Sequence, residues 1–298
     1  MARSPQPARP RVLVIYKKSA YQIYVRERSH ARVAALLEAE DPAVARLMAA
    51  HREHEATIEV TRAALKALRV KAVFRRRSDP SSKEVFDLVV TLGGDGTLLA
   101  ASHMVGPNAG VLAINSAPED SVGYFCAATR EDLADVLAEA LAGKLQETRL
   151  TRMRIAIDDQ VVSSRVLNDV LFSHKTPAAT TRYAIELDGV SEVHKSSGVW
   201  IATAAGSTAA IRSAGGKQQP ITSKRLQYLV RECYAPSDAQ LLRGFIAPGE
   251  RLAIQSHIRA GCAYLDGPHM IHPIDIGSTM TMERSDEPLS LLGFRRHG

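Results

Sequence analysis

A glycine-rich segment with an aspartate inside it, Leu-Gly-Gly-Asp-Gly-Thr at residues 92–97, separates two apolar stretches. Glycines at a strand-to-helix turn let the backbone approach a ligand closely, and the first turn of the helix directs free N–H groups at that ligand. A carboxylate at Asp95 is repelled by phosphate oxygens unless a cation or a hydroxyl lies between them. The segment therefore indicates a phosphate site where Asp95 holds Mg²⁺ or takes a proton from a hydroxyl nucleophile. The alternative is an ordinary tight turn.

Two familiar phosphate motifs do not describe this segment. No Gly-Lys-Ser/Thr follows it, so it is not a Walker A loop, and Leu99 stands where a dinucleotide fingerprint needs its third glycine. Because Asp95 lies between glycines, we expect its side chain to be free of core packing.

Two further polar segments lie in apolar surroundings. At residues 196–208 an apolar strand runs into small residues and hydroxyls, which leave room for a base or a ribose; the alternative is a small-residue helix packed against the sheet. Asn168 and Asp169 lie inside the apolar run 166–172 and point to opposite faces if that run is a strand. At least one then needs a partner or a ligand, unless the run is a sheet edge or a bulge.

Taken in order, these segments resemble the NAD kinase family, whose signature is Gly-Gly-Asp-Gly-Thr, an Asn-Glu pair, a Gly-Ser-Thr segment after a strand and a late Asp-Gly, here at residues 266–267. The resemblance extends over residues 11–285 and is closest to the mitochondrial-type branch, through residues 17–21, 115–123 and 195–198. Gly-Gly-Asp-Gly-Thr alone is shared with lipid kinases, whereas the ordered set is much more specific.

The resemblance implies an ATP-dependent NAD kinase, which transfers the γ-phosphoryl group of ATP to the 2′-hydroxyl of the adenosine ribose of NAD and gives NADP. It implies Mg²⁺ as the divalent cation, with Asp95 as the catalytic residue and an indirect metal ligand. It also implies a homodimer or larger homo-oligomer, with the dinucleotide bound between two domains. The implied substrate-binding residues are Gly93, Gly94, Gly96, Thr97, Asn115, Asn168, Asp169, Ser197, Thr203, Gly206, Ser207, Thr208 and Asp266.

The sequence departs from the family pattern at several positions, among them Ala204 and Ala205, which stand where the family usually has Pro-Thr. Asp169 replaces the usual glutamate, Ser197 stands where the main branch carries aspartate, and Ala210 replaces an aromatic residue that can stack on adenine. The sequence leaves open how these changes affect NAD binding, whether ATP or polyphosphate is the donor, and whether NAD or NADH is preferred. A lipid kinase of the same superfamily and a non-catalytic NAD(P) sensor remain alternatives.

The elements that must position these residues are visible in the apolar patterning. The continuous apolar run 12–16 predicts a buried parallel strand, and further strands are expected at 70–74, 86–91 and 111–115. Helical spacing covers 27–68, with Pro42 opening a second helix, and shorter helices are expected at 97–105 and from Thr129 to Gly143. From residue 148 to 284 short stretches alternate with period two, which predicts a mostly β region.

We therefore expect an α/β plus mostly-β protein with an NAD kinase/diacylglycerol kinase-like fold. A Rossmann-like parallel-sheet domain is expected at residues 11–127 and a β-rich NAD-binding domain at 128–285. A C-terminal tail at 286–298 is expected to pack back on the first domain.

Composition limits the partners. The formal net charge of +6 favours an anionic ligand over nucleic acid, because the basic residues are scattered; the dense run 75–77 is expected to be a solvated strand end. The three cysteines have no metal or disulfide spacing, and no apolar run approaches the roughly 20 residues that span a bilayer. We expect a cytoplasmic protein without a membrane partner, in which His51 and His54 are solvated on a helix.

Overall fold

The structure is a computed structural model that describes residues 10–79, 84–234 and 239–295. The described residues form two compact units. One contains the residues up to 148 together with those from 290 onward, and the other contains residues 149–289. The chain therefore leaves the first unit once and returns to it at its end.

The first unit is built on a six-stranded sheet whose inner strands are parallel. Its strands are β1 (Val12–Tyr16), β2 (Ala72–Arg76), β3 (Leu88–Gly93), β4 (Gly110–Asn115), β5 (Glu147–Leu150) and β18 (Leu289–Leu292). They lie in the order β2-β1-β3-β4-β18-β5, and β18 pairs with β4 in parallel. Its helices are α1 (Ala31–Glu38), α2 (Leu47–Ala67), α3 (Asp95–Ser102) and α4 (Leu133–Leu141), with short helical turns at Gln22–Glu27 and Pro42–Val44.

The boundary of the first unit lies at residue 148 rather than at the expected 127. Helix α4 accounts for the difference, because its buried Leu133, Val136 and Leu137 pack in the same apolar cluster as Val14 and Leu92 of the sheet. Removing such leucines from that cluster would leave cavities, so α4 is an integral part of the first core.

The second unit is a β-sandwich of two six-stranded antiparallel sheets, in the orders β10-β9-β14-β17-β6-β7 and β13-β12-β11-β8-β15-β16. One apolar cluster contains residues of both sheets, including Ile155, Phe172, Ile185 and Ile201. The strands are β6 (Met153–Ile157), β7 (Gln160–Val166), β8 (Asp169–His174), β9 (Thr181–Leu187), β10 (Val190–Ser196), β11 (Gly198–Ala202), β12 (Leu226–Arg231), β13 (Arg243–Ile246), β14 (Arg251–Ser256), β15 (Gly261–Leu265), β16 (Met270–Ile274) and β17 (Thr279–Arg284). The helical segments are Ala205–Thr208 and α5 (Ala210–Ser213).

The predicted fold class is confirmed, with a parallel N-terminal sheet followed by antiparallel β structure. Helix ends differ locally from the prediction. Pro42 opens a three-residue turn, and the following helix α2 begins only at Leu47. The backbone N–H of Thr129 donates to Asp132 Oδ1 at 2.8 Å, which makes a turn there, so that α4 begins at Leu133 instead of Thr129.

Within the described ranges, no helix combines the length and apolarity needed to cross a membrane.

Candidate functional site

The glycine-rich turn joins the carboxyl end of β3 to the start of α3. Gly93 ends the strand, and Asp95 is the first residue of the helix. The Asp95 carboxylate accepts the backbone N–H of Tyr124 at 2.9 Å through Oδ2 and that of Phe125 at 3.0 Å through Oδ1. Asp95 is half-buried and is not a member of the apolar clusters, but its carboxylate is held in place because both of its oxygens accept hydrogen bonds from one loop.

The same turn is closed from the side by the segment that follows β4. Asn115 pairs with Gly93 across the two strands, and its Nδ2 donates to the carbonyl oxygen of Ser121 at 2.7 Å. A Cβ on Gly94 would lie 2.0 Å from Ser121 Oγ. A side chain at 94 would therefore displace Ser121, so glycine lets the two segments come together, and Asn115 helps to hold them there.

The open side of the turn is at Gly96. A Cβ added there would meet nothing within 4 Å, whereas Thr97 is only 1% exposed and lies beneath the turn. Behind it, Cys126 Sγ donates to the carbonyl oxygen of Gly93 at 4.0 Å. Burial, aided by the negative charge of Asp95, raises the pKa of the Cys126 thiol to about 12, so the thiol remains protonated.

Two cationic side chains lie at this end of the sheet. The strand order reverses between β1 and β3, and in open α/β sheets ligands bind outside the carboxyl ends at such a point. Lys17 follows β1 there, and Arg77 Nη1 donates to the carbonyl oxygen of Gly96 at 3.4 Å. Burial lowers the pKa of Lys17, and the charge of Arg77 lowers it further. Arg77 is thus not the plain solvated strand end expected from the run 75–77.

The two histidines of α2 are buried, contrary to the expectation that they are solvated. His54 Nε2 lies 2.8 Å from the carbonyl oxygen of Lys17, and its Nδ1 lies 2.7 Å from Ser116 Oγ, while His51 Nδ1 lies 2.9 Å from Ser19 Oγ. Burial lowers the pKa of both imidazoles, which favours their neutral forms. They tie the segments after β1 and β4 to α2.

In the second unit, the Asn-Asp pair is held by the late Asp-Gly turn. Asp266 Oδ2 accepts the backbone N–H of Leu167 at 2.8 Å, and Oδ1 accepts those of Asn168 at 2.7 Å and Asp169 at 3.2 Å. The backbone N–H of Asp266 donates in turn to the carbonyl oxygen of Asp169 at 2.9 Å. Asp266 therefore positions the two polar residues at the start of β8.

The Gly-Ser-Thr segment packs against the same pair. The backbone N–H of Thr203 donates to the carbonyl oxygen of Asn168 at 2.9 Å, and Thr203 Oγ1 donates to that of Leu167. A Cβ on Gly206 would lie 2.1 Å from the Asn168 carbonyl oxygen, so only glycine allows this approach.

The hydroxyls of this segment point into their own turn. Ser207 Oγ donates to the carbonyl oxygen of Ala204 at 2.7 Å, and Thr208 Oγ1 donates to that of Ala205 at 3.4 Å.

Asn168 Oδ1 is buried without a hydrogen-bond partner among the described residues. An orphaned acceptor of this kind is typical of a position that receives a donor from a ligand or water.

Asp169 carries the most perturbed carboxyl of the second unit's site. Its side chain is 7% exposed, and burial, together with the nearby charge of Asp266, raises the pKa of this carboxyl to about 7. The group therefore changes charge near neutral pH, as catalytic and ligand-binding carboxyls often do.

A cavity of about 440 Å³ lies in front of Asp169, on the face of the sheet opposite the core. Leu171 pairs with Trp200 on one side and with Tyr264 on the other, which gives the cavity an apolar floor across three strands. Polar groups line its edges: Asp169, Ser173, Lys175, Ser197 and Arg231. Its apolar floor and cationic rim suit a flat ring attached to an anionic group.

The structure groups the predicted site residues by unit. In the first unit it brings together Gly93, Gly94, Asp95, Gly96, Thr97 and Asn115, and in the second Asn168, Asp169, Thr203, Gly206 and Asp266, with Ser197 on the same cavity as Asp169. Sequence reasoning missed Tyr124 and Phe125, since nothing local marks a loop that binds a carboxylate about thirty residues away. Within the part of the chain that is described, no group of three or more His, Cys, Asp or Glu residues is arranged to hold a metal ion.

Comparison with known proteins gives consistent matches. The sequence pattern described as the ATP-NAD kinase N-terminal domain matches residues 9–145. The chain is 34% identical over 262 residues to a "Probable NADH kinase" of Oryza sativa subsp. japonica, a match that covers 80% of each. An NAD kinase from Archaeoglobus fulgidus, solved with ATP, superposes with a TM-score of 0.65 at 20% identity, over 96% of this chain and 94% of that one. The yeast NADH kinase complexed with NADH gives 0.66 at 18% identity, over 96% and 84%. The two solved structures share its fold.

Proposed function

The chain belongs to the NAD kinase family, and on that premise we propose that it transfers the γ-phosphoryl group of ATP to the 2′-hydroxyl of the adenosine ribose of NAD. The observation that carries this proposal is the fixed Asp95 carboxylate, held by two backbone N–H groups beside the open face of Gly96. A rigidly placed carboxylate next to exposed backbone is suited to a hydroxyl nucleophile facing a phosphate.

We propose that the terminal phosphates of ATP lie against the open side of the turn at Gly96. The first turn of α3 presents free N–H groups there, and Lys17 and Arg77 provide positive charge at the same end of the sheet. The pKa of Lys17 is lowered by burial and by the charge of Arg77. A bound anion between the two side chains would neutralise both charges and stabilise the protonated lysine.

Asp95 is the proposed catalytic residue. The 2′-hydroxyl oxygen attacks the γ-phosphorus, the bond from that phosphorus to the bridging oxygen breaks, and ADP leaves. The hydroxyl proton passes to the Asp95 carboxylate, which the Tyr124 and Phe125 N–H groups keep in one orientation throughout.

Mg²⁺ is the proposed divalent cation, and the donor set agrees with that choice. No cluster of metal-ligating side chains exists within the described ranges, and Mg²⁺ is commonly held by one or two carboxylates, substrate phosphates and water. Asp95 is the residue that would hold it, directly or through water. The cation supplies neutralisation of phosphate charge when it is bound.

We propose that the second unit binds the dinucleotide through Asn168, Asp169 and the adjoining cavity. The orphaned Asn168 Oδ1 can accept a donor from the ligand, and an ionised Asp169 can accept ribose hydroxyls. The cavity of about 440 Å³ has room for a nicotinamide ring, and Lys175 and Arg231 line it and can meet anionic oxygens.

We also propose that the protein forms a homo-oligomer, which light scattering on the purified protein would test.

The proposed function is tested by incubating the purified full chain with Mg-ATP and either NAD or NADH, and measuring NADP or NADPH. Parallel reactions replace ATP with polyphosphate and the dinucleotide with diacylglycerol. Formation of NADP that stops in excess chelator supports the proposal. Phosphorylated lipid, or dinucleotide binding without any turnover, would instead establish the lipid kinase or the sensor.

A further inference from the structure

The loop that fixes Asp95 has little regular structure of its own. Tyr124 and Phe125 lie outside every helix and strand, in the connection between β4 and α4. The loop is anchored to β4 on both sides of the two donors. Asn115 Nδ2 donates to the carbonyl oxygen of Ser121 at 2.7 Å, and the backbone N–H of Ala127 donates to that of Ala113 at 2.8 Å. Between these anchors, the backbone N–H of Cys126 donates to the carbonyl oxygen of Gly123 at 2.9 Å and closes a turn around Tyr124 and Phe125. The side chains of these two residues give the turn a further contact.

Those side chains contact a ring from the end of the chain. The centroid of the Phe294 ring lies 5.8 Å from that of Tyr124 and 6.3 Å from that of Phe125. The rings of Tyr124 and Phe125 pack edge to face, with their centroids 5.0 Å apart. Phe294 is 9% exposed, Phe125 is 3% exposed, and Tyr124 is half-buried. These separations are those of attractive aromatic pairs.

The Phe294 ring is itself held by the sheet of the first unit. β18 precedes it and pairs with β4, and the backbone N–H of Gly293 donates to the carbonyl oxygen of Gln146 at 2.9 Å. Gly293 has φ of +70°, a left-handed conformation that turns the chain directly after the strand. The C-terminal segment thus brings one ring to a defined place beside the Asp95 loop.

We infer that Phe294 is a positioning residue for the phosphoryl transfer. It packs on the two residues whose backbone N–H groups orient both oxygens of the Asp95 carboxylate. The role of Asp95 in the reaction rests on the proposed function; the mechanical link from Phe294 to Asp95 does not. Without the ring, the loop keeps its sequence but loses a contact that helps to set the direction of its donors.

The test compares three variants of the full chain. Phe294→Leu keeps apolar volume and removes the ring, Phe294→Tyr keeps the ring, and Phe74→Leu is the matched control on β2, where Phe74 packs under Arg62 instead. We expect Phe294→Leu to lower kcat by ~10- to 100-fold with KM for both substrates changed by less than about threefold, because small misplacements of a catalytic group are costly. Phe294→Tyr should restore kcat, and Phe74→Leu should leave it near the parent value.

Two further readouts separate positioning from a loss of packing. In an Asp95→Asn background, Phe294→Leu should lower the residual rate by less than about twofold, since both changes act on one carboxylate. Hydrogen exchange at the amides of Tyr124 and Phe125 should accelerate in Phe294→Leu and stay unchanged in Phe74→Leu. Additive rate losses, or unchanged exchange, would overturn the inference. If Asp95→Asn alone retains activity while exchange still responds to Phe294, the proposed role of Asp95 fails and the mechanical link stands.

Discussion

Asp266 and Asn168 are joined by a hydrogen bond of 2.7 Å from the backbone N–H of Asn168 to Asp266 Oδ1, across 98 residues of chain. The same carboxylate accepts the neighbouring N–H groups of Leu167 and Asp169. Three donors at the start of β8 thus depend on one side chain in a left-handed Asp-Gly turn, where Asp266 has φ of +49°.

We expect Asp266→Ala to weaken NAD binding and to destabilise the second unit. Asp188 is the matched control, since it occupies a similar Asp-Gly turn with φ of +52° but is exposed. Charge-assisted hydrogen bonds contribute about 1.5–3 kcal/mol, so Asp266→Ala should cost about that much more unfolding free energy than Asp188→Ala. Denaturant titration and NAD titration measure the two effects, and equal losses in both variants would show that the three bonds contribute nothing.

The raised pKa of Asp169 predicts a pH dependence near neutrality. The folded carboxyl has a pKa of about 7 against an ordinary value of 3.8, so the folded chain keeps a proton that the unfolded chain releases. The resulting stability is fully present below the ordinary pKa and is lost as pH rises through about 7. Between pH 5 and 8, the unfolding free energy of the parent should fall relative to that of Asp169→Asn, by at most about 1.4 kcal/mol per pH unit.

NAD affinity should change in the opposite direction. The ionised Asp169 carboxylate has two acceptor oxygens for ribose hydroxyls, whereas the protonated acid carries an O–H donor on one of them. The parent should therefore bind NAD more tightly as pH rises through about 7. In Asp169→Asn this pH dependence should disappear. A pH profile of NAD affinity that is the same in both proteins would remove Asp169 from NAD recognition.

Gly96 offers a test of where ATP lies. Because a Cβ there meets nothing within 4 Å, Gly96→Ala should fold as well as the parent, and alanine is favoured over glycine in a helix by about 1 kcal/mol. The added methyl nevertheless occupies the space proposed for phosphate, so KM for ATP should rise by ~10-fold, a penalty of roughly 1.4 kcal/mol. Gly106→Ala, equally open and also in the first unit, is the control, and its KM should be unchanged.

Asp95→Asn should lower turnover by ~10²–10⁴-fold, the usual loss for a general base. It should also lower stability, because the Asn side chain keeps one acceptor oxygen and sets an NH₂ group against one of the two backbone donors. Leaving one such donor unsatisfied costs about 1–3 kcal/mol. NADP formation and thermal unfolding of the same preparation check both effects; a rate within threefold of the parent would leave only the tight-turn interpretation of the glycine segment.

Local patterning predicted the first unit's sheet well. The continuous apolar run 12–16 coincides with β1 because a parallel strand buried on both faces must be apolar throughout. The run 86–91 predicts a strand that ends at residue 91, but β3 spans Leu88–Gly93, since neither Leu92 nor Gly93 breaks an extended conformation. The periodic stretch 27–68 forms two helices, as the proline at 42 predicts, but α1 ends at Glu38 and α2 begins at Leu47, and Glu40 between them adopts a left-handed φ of +49°.

The contacts that organise the site could not be predicted, because each joins distant parts of the sequence. Asp95 meets Tyr124 and Phe125 about thirty residues on, and Asp266 meets Asn168 almost a hundred residues back. His51 and His54 have the spacing of a solvated helical face, yet both are buried. Hydroxyl and carbonyl groups from other segments form hydrogen bonds with their ring nitrogens, which offsets the cost of burying them. Residue type predicted the candidate site residues, and only the tertiary structure showed what holds them in position.

The return of the chain to its first unit has a consequence for synthesis. The sheet edge at β4 is covered by β18, which is synthesised only after the second unit. The first unit therefore has an unpaired parallel edge while about 140 residues of the second unit are synthesised. A chain that stops before β18 should carry the glycine turn and the Asn168-Asp169 pair but leave the edge of β4 unpaired.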